Sequence, residues 1–390
     1  MVRVGGYGVS WPPYSEAVLS AKAAEEVGFD WVLYSDQTDF SHPQSVWTPE
    51  FSSLAAVHPR IDAWYDPAPL IAGCAPHAEK IGLAWGVTDP VRRHPVTLAQ
   101  GLLTLDHATQ GRSIILLASG ENKQMKPYGA SRKGATDKLL DAVPMMKLLM
   151  STTEPVNYSG RVWTMKDAVL GLQPYGEKPP AIWVAGAGPC INELVGTHAD
   201  GWFIYVPGST GDNPEFFRSQ VEEIHRHARA AGRDPGEIAI ALLMVGVVDT
   251  EPAHLDALRR HPFLLWNTLF AVPNSNQYYD WGLSHPYGRG WSYSQHMFPQ
   301  WIGRPEFEEK IAQIPDDAID RVNILGSPAQ CMQRLQPYID AGATDIFIYN
   351  FGALCGLEYA ESSGEGVVQL LHMLKGMDPA KASGSYATVA

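Results

Sequence analysis

Apolar residues in this chain gather into short unbroken runs separated by amphipathic stretches. Eight runs read as strands: 3–9, 31–35, 81–87, 113–118, 181–186, 202–206, 238–248 and 345–350. Most are continuous rather than alternating, as expected of strands covered on both faces in a parallel sheet. Helical periodicity fills the intervals at about 15–28, 67–78, 95–109, 135–151, 190–199, 214–231 and 327–342. The alternation predicts an α/β protein. Eight interleaved strands fit a (β/α)8 TIM barrel better than an open doubly wound sheet. The first strand is not followed by a GxGxxG turn, which weakens the dinucleotide-fold alternative.

Three stretches break the rhythm, at about 37–66, 153–180 and 251–326. They are predicted to be insertions on one barrel domain spanning 1–377, with 378–390 as a flexible C-terminal tail. The last insertion carries Phe263, Trp266, Phe270, Tyr278, Tyr279, Trp281, Tyr287, Trp291, Tyr293, Phe298 and Trp301. That density predicts a packed satellite core that is also a lid over an apolar or extended ligand.

Composition narrows the function by exclusion. The 390 residues carry a net charge of −13, which argues against nucleic acid or an anionic membrane as main partner. The N-terminal sequence shows no signal-peptide pattern, and no apolar run approaches a membrane span. The four cysteines lack CxxC spacing, and no HExxH or other metal set is present, so reduced thiols, no metal and a cytoplasmic location are expected.

Candidate chemistry sits where predicted strands end, since barrels bind ligands at the carboxyl ends of their strands. Strand 31–35 ends in Ser35-Asp36-Gln37, where Asp36 is a site carboxylate or a turn residue. Strand 113–118 ends in Ser119-Gly120-Glu121. Gly120 permits close backbone approach, and Glu121 is either a general acid or a solvated loop residue. Strand 181–186 runs through Ala185-Gly186-Ala187-Gly188-Pro189 into a helix, a pattern that exposes backbone N–H groups to an anion. Asp106, His107 and Arg112 read as fixing a helix end, and His225 and His227 as part of a charged helix face.

Taken together, several short segments resemble the bacterial-luciferase-like superfamily over nearly the whole chain. They are Ser35-Asp36, Gly86-Val87-Thr88-Asp89-Pro90 with Arg93-His94-Pro95, Leu105-Asp106 with Gly111-Arg112, and Ala185 to Pro189. Ala199-Asp200-Gly201 and Gly326-Ser327-Pro328 complete the set. Within the superfamily the chain looks most like the coenzyme F420-dependent branch. Its GVTDP segment is similar to methylene-tetrahydromethanopterin reductases, and Gly120-Glu121 resembles F420-dependent glucose-6-phosphate dehydrogenases. Residues 59–67, His285-Pro286-Tyr287-Gly288 and Pro299-Gln300 are similar to mycobacterial phthiodiolone ketoreductases.

The resemblance implies a cofactor at the C-terminal face of the barrel: F420, or alternatively FMN. It implies a cis Gly86-Val87 peptide and a bulge behind the cofactor ring, with Thr88, Gly120 and Gln124 nearby. Ala185, Gly186, Ala187 and Gly188 would hold the phosphate, Asp36 would lie near the ring, and Glu121 would donate a proton or touch the ring edge. Relatives often carry histidine where this chain has Gln37. An amide exchanges no proton near neutral pH, so Gln37 can only orient a group by hydrogen bonding. The implied activity is hydride transfer between deazaflavin C5 and a ketone/alcohol, imine or activated alkene. Glu121, Asp36 and Gln37 are the catalytic candidates, and the substrate is a fairly large, apolar small molecule, lipid or polyketide-like. An FMN-dependent monooxygenase and a non-catalytic deazaflavin-binding barrel are the alternatives, and a homodimer is expected by the same resemblance.

Overall fold

The computed structural model describes residues 2–382 and 384–386. Eleven strands occur among them: β1 (Arg3–Tyr7), β2 (Trp31–Tyr34), β3 (Gly82–Thr88), β4 (Ser113–Leu117), β5 (Val156–Ser159), β6 (Thr164–Ala168), β7 (Ala181–Ala185), β8 (Gly201–Val206), β9 (Ala239–Val248), β10 (Ile324–Gly326) and β11 (Asp345–Asn350). Parallel pairing runs β1-β2-β3-β4-β7-β8-β9-β11 and closes through β11 on β1. This is a closed (β/α)8 barrel, and its eight strands are the eight runs expected from the sequence.

Strand alternation divides the core in two. In β4, Ile115 and Leu117 point to the surrounding helices, while Ile114 and Leu116 belong to the barrel interior. Trp183, Phe203 and Phe347 pack edge to face inside the barrel and fill it. Space for a ligand is therefore left only toward the mouth.

The insertions take definite shapes. Residues 37–66 carry two 3-10 turns, Gln44–Val46 and Ser53–Ala56, and β5 and β6 form an antiparallel hairpin within 153–180. The segment 251–326 folds into short helices, among them Pro262–Phe270, Tyr293–His296 and Arg304–Ala312. Phe263, Trp266 and Tyr278 are fully buried there, forming a core against the mouth, whereas Trp301 is exposed.

Two features differ from the sequence reading. A helix, Ala360–Leu374, covers the barrel where none was expected, because Ser362, Ser363, Gly364 and Gly366 interrupt its apolar stripe. Those small residues are needed: a Cβ on Gly364 would meet Ser385, and one on Gly366 would lie 3.2 Å from the Asp249 nitrogen. Nor is the expected tail free at Tyr386, whose ring is buried against Phe29 and whose hydroxyl donates to the Tyr7 carbonyl (2.8 Å). An aromatic ring in reach of an apolar seam gains enough by burial to offset ordering of a short segment. Residues 387–390 lie outside the described residues.

Candidate active site

The carboxyl ends of β1, β2, β4, β8, β9 and β11 surround a cavity of about 190 Å3. Its wall is aromatic, with Tyr7, Phe40, Tyr205, Phe270, Tyr293, Tyr349 and Phe351. Tyr7 and Tyr349 stack with ring centres 4.0 Å apart. Burial raises the pKa of both phenols, and of Tyr293, so these hydroxyls stay protonated. Polar groups enter at Ser35, Gln37, His42, Glu121, Ser209 and Asn267. Phe270 and Tyr293 come from the long insertion, which supplies both a satellite core and part of the cavity wall.

Glu121 follows Gly120, whose φ of +75° turns the chain after β4 into the mouth. Arg132 holds that turn by donating to the Gly120 carbonyl (2.6 Å) and to Ser119 Oγ (2.8 Å). The Glu121 side chain is 22% exposed. Its Oε2 is buried 3.5 Å from Lys123 Nζ.

Lys123 is the residue that sequence reasoning missed. It is fully buried, yet its ammonium donates to Gln37 Oε1 (2.7 Å) and to the Asp39 carbonyl (2.6 Å). Burial lowers its pKa, opposed by the charges of Glu121 and Asp39. Burial also pushes the Asp39 carboxyl up to about 6, against the pull of Lys123. A lysine two positions after Glu121 in a polar turn carries no local signal of burial, so only the fold could reveal it.

Asp36 is brought to the mouth but not into the cavity wall. Burial opposes its ionisation, yet Arg92 and Arg93, at 3.3 and 2.9 Å, outweigh that and keep the carboxyl below its usual range. Trp85 Nε1 also donates to it (3.2 Å). A carboxylate so saturated is a poor proton donor or acceptor, so the catalytic candidacy of Asp36 is replaced by an anchoring one. It ties β2 to the loop after β3, where Arg92 in turn pairs with Asp89 (2.6 Å). Gln124 is not in the cavity wall, and its Oε1 accepts from the Thr38 backbone N–H (3.1 Å). Asp106 and Arg112 serve backbone groups, Tyr175 N–H (2.8 Å) and the Ile81 carbonyl (2.6 Å), as their structural reading expects.

The Gly86-Val87 peptide is cis, and the β3–β4 register shifts between Trp85 and Thr88, giving the expected bulge. Thr88 is buried behind it, and Val87 packs into the mouth cluster. A Cβ on Gly86 would lie 2.5 Å from Leu116 Cβ. Gly86→Ala is therefore expected to cost about 1–3 kcal/mol by overpacking the barrel. Gly171→Ala, with no atom within 4 Å of the added carbon, serves as control. Thermal denaturation of both variants checks this, and equal melting temperatures would refute it.

Next to β4 in the barrel, β7 passes through Ala185 into Gly186 and Gly188, with φ of +137° and +109°. The helix Pro189–Thr197 begins there, and a Cβ on Gly188 would meet nothing within 4 Å. An open glycine turn before a helix N-terminus suits a phosphate. With the aromatic cavity and the bulge, these residues fit a planar ring cofactor with an anionic tail. No group of three or more metal-ligating side chains occurs among the described residues, nor any helix long and apolar enough to cross a membrane.

A barrel with its polar groups converging at this mouth belongs to a known class. The chain is a member of the luciferase-like monooxygenase family, whose profile matches residues 1–345. Among curated proteins it is similar to the phthiodiolone/phenolphthiodiolone dimycocerosates ketoreductase of Mycobacterium tuberculosis, 28% identical over 350 residues, 87% of this chain and 88% of the relative. Its fold matches the coenzyme F420-dependent tetrahydromethanopterin reductase of Methanopyrus kandleri with a TM-score of 0.68 at 17% identity, covering 98% of this chain and 99% of that one. The oxygenating component of 3,6-diketocamphane monooxygenase from Pseudomonas putida, solved with FMN, matches with a TM-score of 0.61 at 16% identity, covering 98% and 99%. Relatives and structural neighbours thus include oxidoreductases of both cofactor types.

Proposed function

We propose that this protein is an F420-dependent oxidoreductase that reduces an apolar carbonyl-type substrate, or oxidises the corresponding alcohol. Glu121 carries the reading. It is a part-buried carboxyl group lining the cavity, with its buried Oε2 3.5 Å from the Lys123 ammonium and without a hydrogen-bond partner among the described residues. Such a group can hold a proton next to a reacting oxygen or carbon. Bound F420 supplies hydride at C5; the protein supplies orientation and a dry aromatic pocket. Gly186 to Gly188 would hold the phosphate, and the Gly86-Val87 bulge would back the ring. The similarity to a ketoreductase over most of both chains supports the same direction of chemistry.

Titration with F420 and with FMN, followed by fluorescence, tests the cofactor. F420 is expected to bind and, when reduced, to be oxidised anaerobically by an apolar ketone. Binding of FMN alone, with oxygen consumption, would instead make the protein a flavin monooxygenase.

A further inference from the structure

The buried ammonium of Lys123 decides how the Gln37 amide must stand. An ammonium has only hydrogens to offer, so the amide atom 2.7 Å from it has to be the carbonyl oxygen Oε1. The same Nζ also donates to the Asp39 carbonyl at 2.6 Å, which fixes it as donor from a second side. Gln37 lines the cavity, and its Nε2 has no hydrogen-bond partner among the described residues. The amide NH2 is thus left as the free donor end of a residue whose other end is pinned.

We propose that Lys123 is a positioning residue: it locks the Gln37 amide so that Nε2 presents N–H donors to the cavity, where they bind an acceptor oxygen of the substrate beside Glu121. The inference rests on reading the mouth as a hydride-transfer site, and it narrows the substrate. A ketone, or an alkene conjugated to a carbonyl, offers the required lone pairs. A protonated imine offers only a donor, which an amide N–H cannot accept. Hydrogen bonding at Gln37 therefore favours substrates that carry an acceptor oxygen. Lys123 also polarises the amide it holds, strengthening its N–H as a donor.

Two neutral flat probes of nearly equal shape test this without cofactor: acetophenone, which carries a carbonyl acceptor, and α-methylstyrene, which carries a methylene group in its place. Binding is measured by ligand-observed NMR on the full chain, so F420 binding can fail or succeed independently. Relative to α-methylstyrene, acetophenone is expected to bind wild type about tenfold better than it binds Gln37→Leu, the worth of one well-made hydrogen bond. Lys123→Met should lose the same factor. The double variant should lose no more than Gln37→Leu alone, because Lys123 acts through Gln37. Gln37→Leu leaves the buried lysine in place and guards against misfolding of Lys123→Met, and melting temperatures are recorded for every variant. Undetectable binding of both probes by wild type, an acetophenone to α-methylstyrene ratio unchanged in Gln37→Leu or in Lys123→Met, or additive losses in the double variant would each overturn the proposal.

Discussion

Glu121→Gln is expected to lower turnover of an apolar ketone with reduced F420 by about 10²–10³-fold, the usual weight of a positioned acid. The amide keeps the shape of the carboxyl group but has no proton to give. Affinity for F420, read by fluorescence, should change only a few-fold. The glycine turn at Gly186 and Gly188 follows β7 and the bulge at Gly86 is in β3, so both keep their form. A cost in melting temperature is also expected, because Oε2 of Glu121 lies 3.5 Å from the buried Lys123 ammonium and helps to balance it. Turnover within threefold of wild type would remove Glu121 from the mechanism and leave a tyrosine or water as the proton source.

Acidification is expected to destabilise the protein through His42. This ring is buried, stacked 3.7 Å from Phe263, and its Nε2 contacts the Phe263 carbonyl at 2.9 Å. A carbonyl only accepts, so Nε2 carries the hydrogen; Nδ1 has no partner and stays bare. Burial drives the imidazole pKa down to about 3. The unfolded chain therefore takes up a proton near pH 6.5 that the folded chain refuses until pH 3. Stability from this site is complete above pH 6.5 and falls as pH drops toward 3, by about 4–5 kcal/mol in total.

His42→Phe keeps a flat ring against Phe263 and removes the titration. It should be less stable than wild type at pH 7.5, where the Phe263 carbonyl loses its donor. The gap should close by about 3 kcal/mol between pH 6.5 and pH 4 in urea unfolding. Asp39, raised to about 6, works in the opposite sense: its proton is held more tightly when folded, so its contribution weakens as pH rises from about 4 to 6. Asp39 is present in both proteins and cancels from the difference. Parallel stability curves for the two proteins would refute the assignment to His42.

The resemblance of short segments brought the family and the expected bulge within reach of the sequence. The residue roles divided differently. Glu121 was legible because it follows a strand end, and a barrel places every such residue at the mouth. Asp36 was legible in place but not in role. Its neutralising arginines lie 56 and 57 residues away in sequence, where no local pattern links them. The aromatic insertion could be read as both core and lid because each use demands the same residue types.

By itself the sequence determined the eight strands, their order and the end of the barrel at which the candidate site lies. Burial on both faces of a parallel strand leaves a continuous apolar run, and that signal is local. Tertiary structure alone decided that Lys123 is buried beneath Gln37 and Glu121, that His42 meets a carbonyl 221 residues away, and that Tyr386 docks on the barrel. It also made a helix of Ala360–Leu374, whose small residues blur its periodicity because they allow close packing. An ionisable side chain takes its function from the charges, carbonyls and walls around it, and those neighbours are assembled only when the barrel closes.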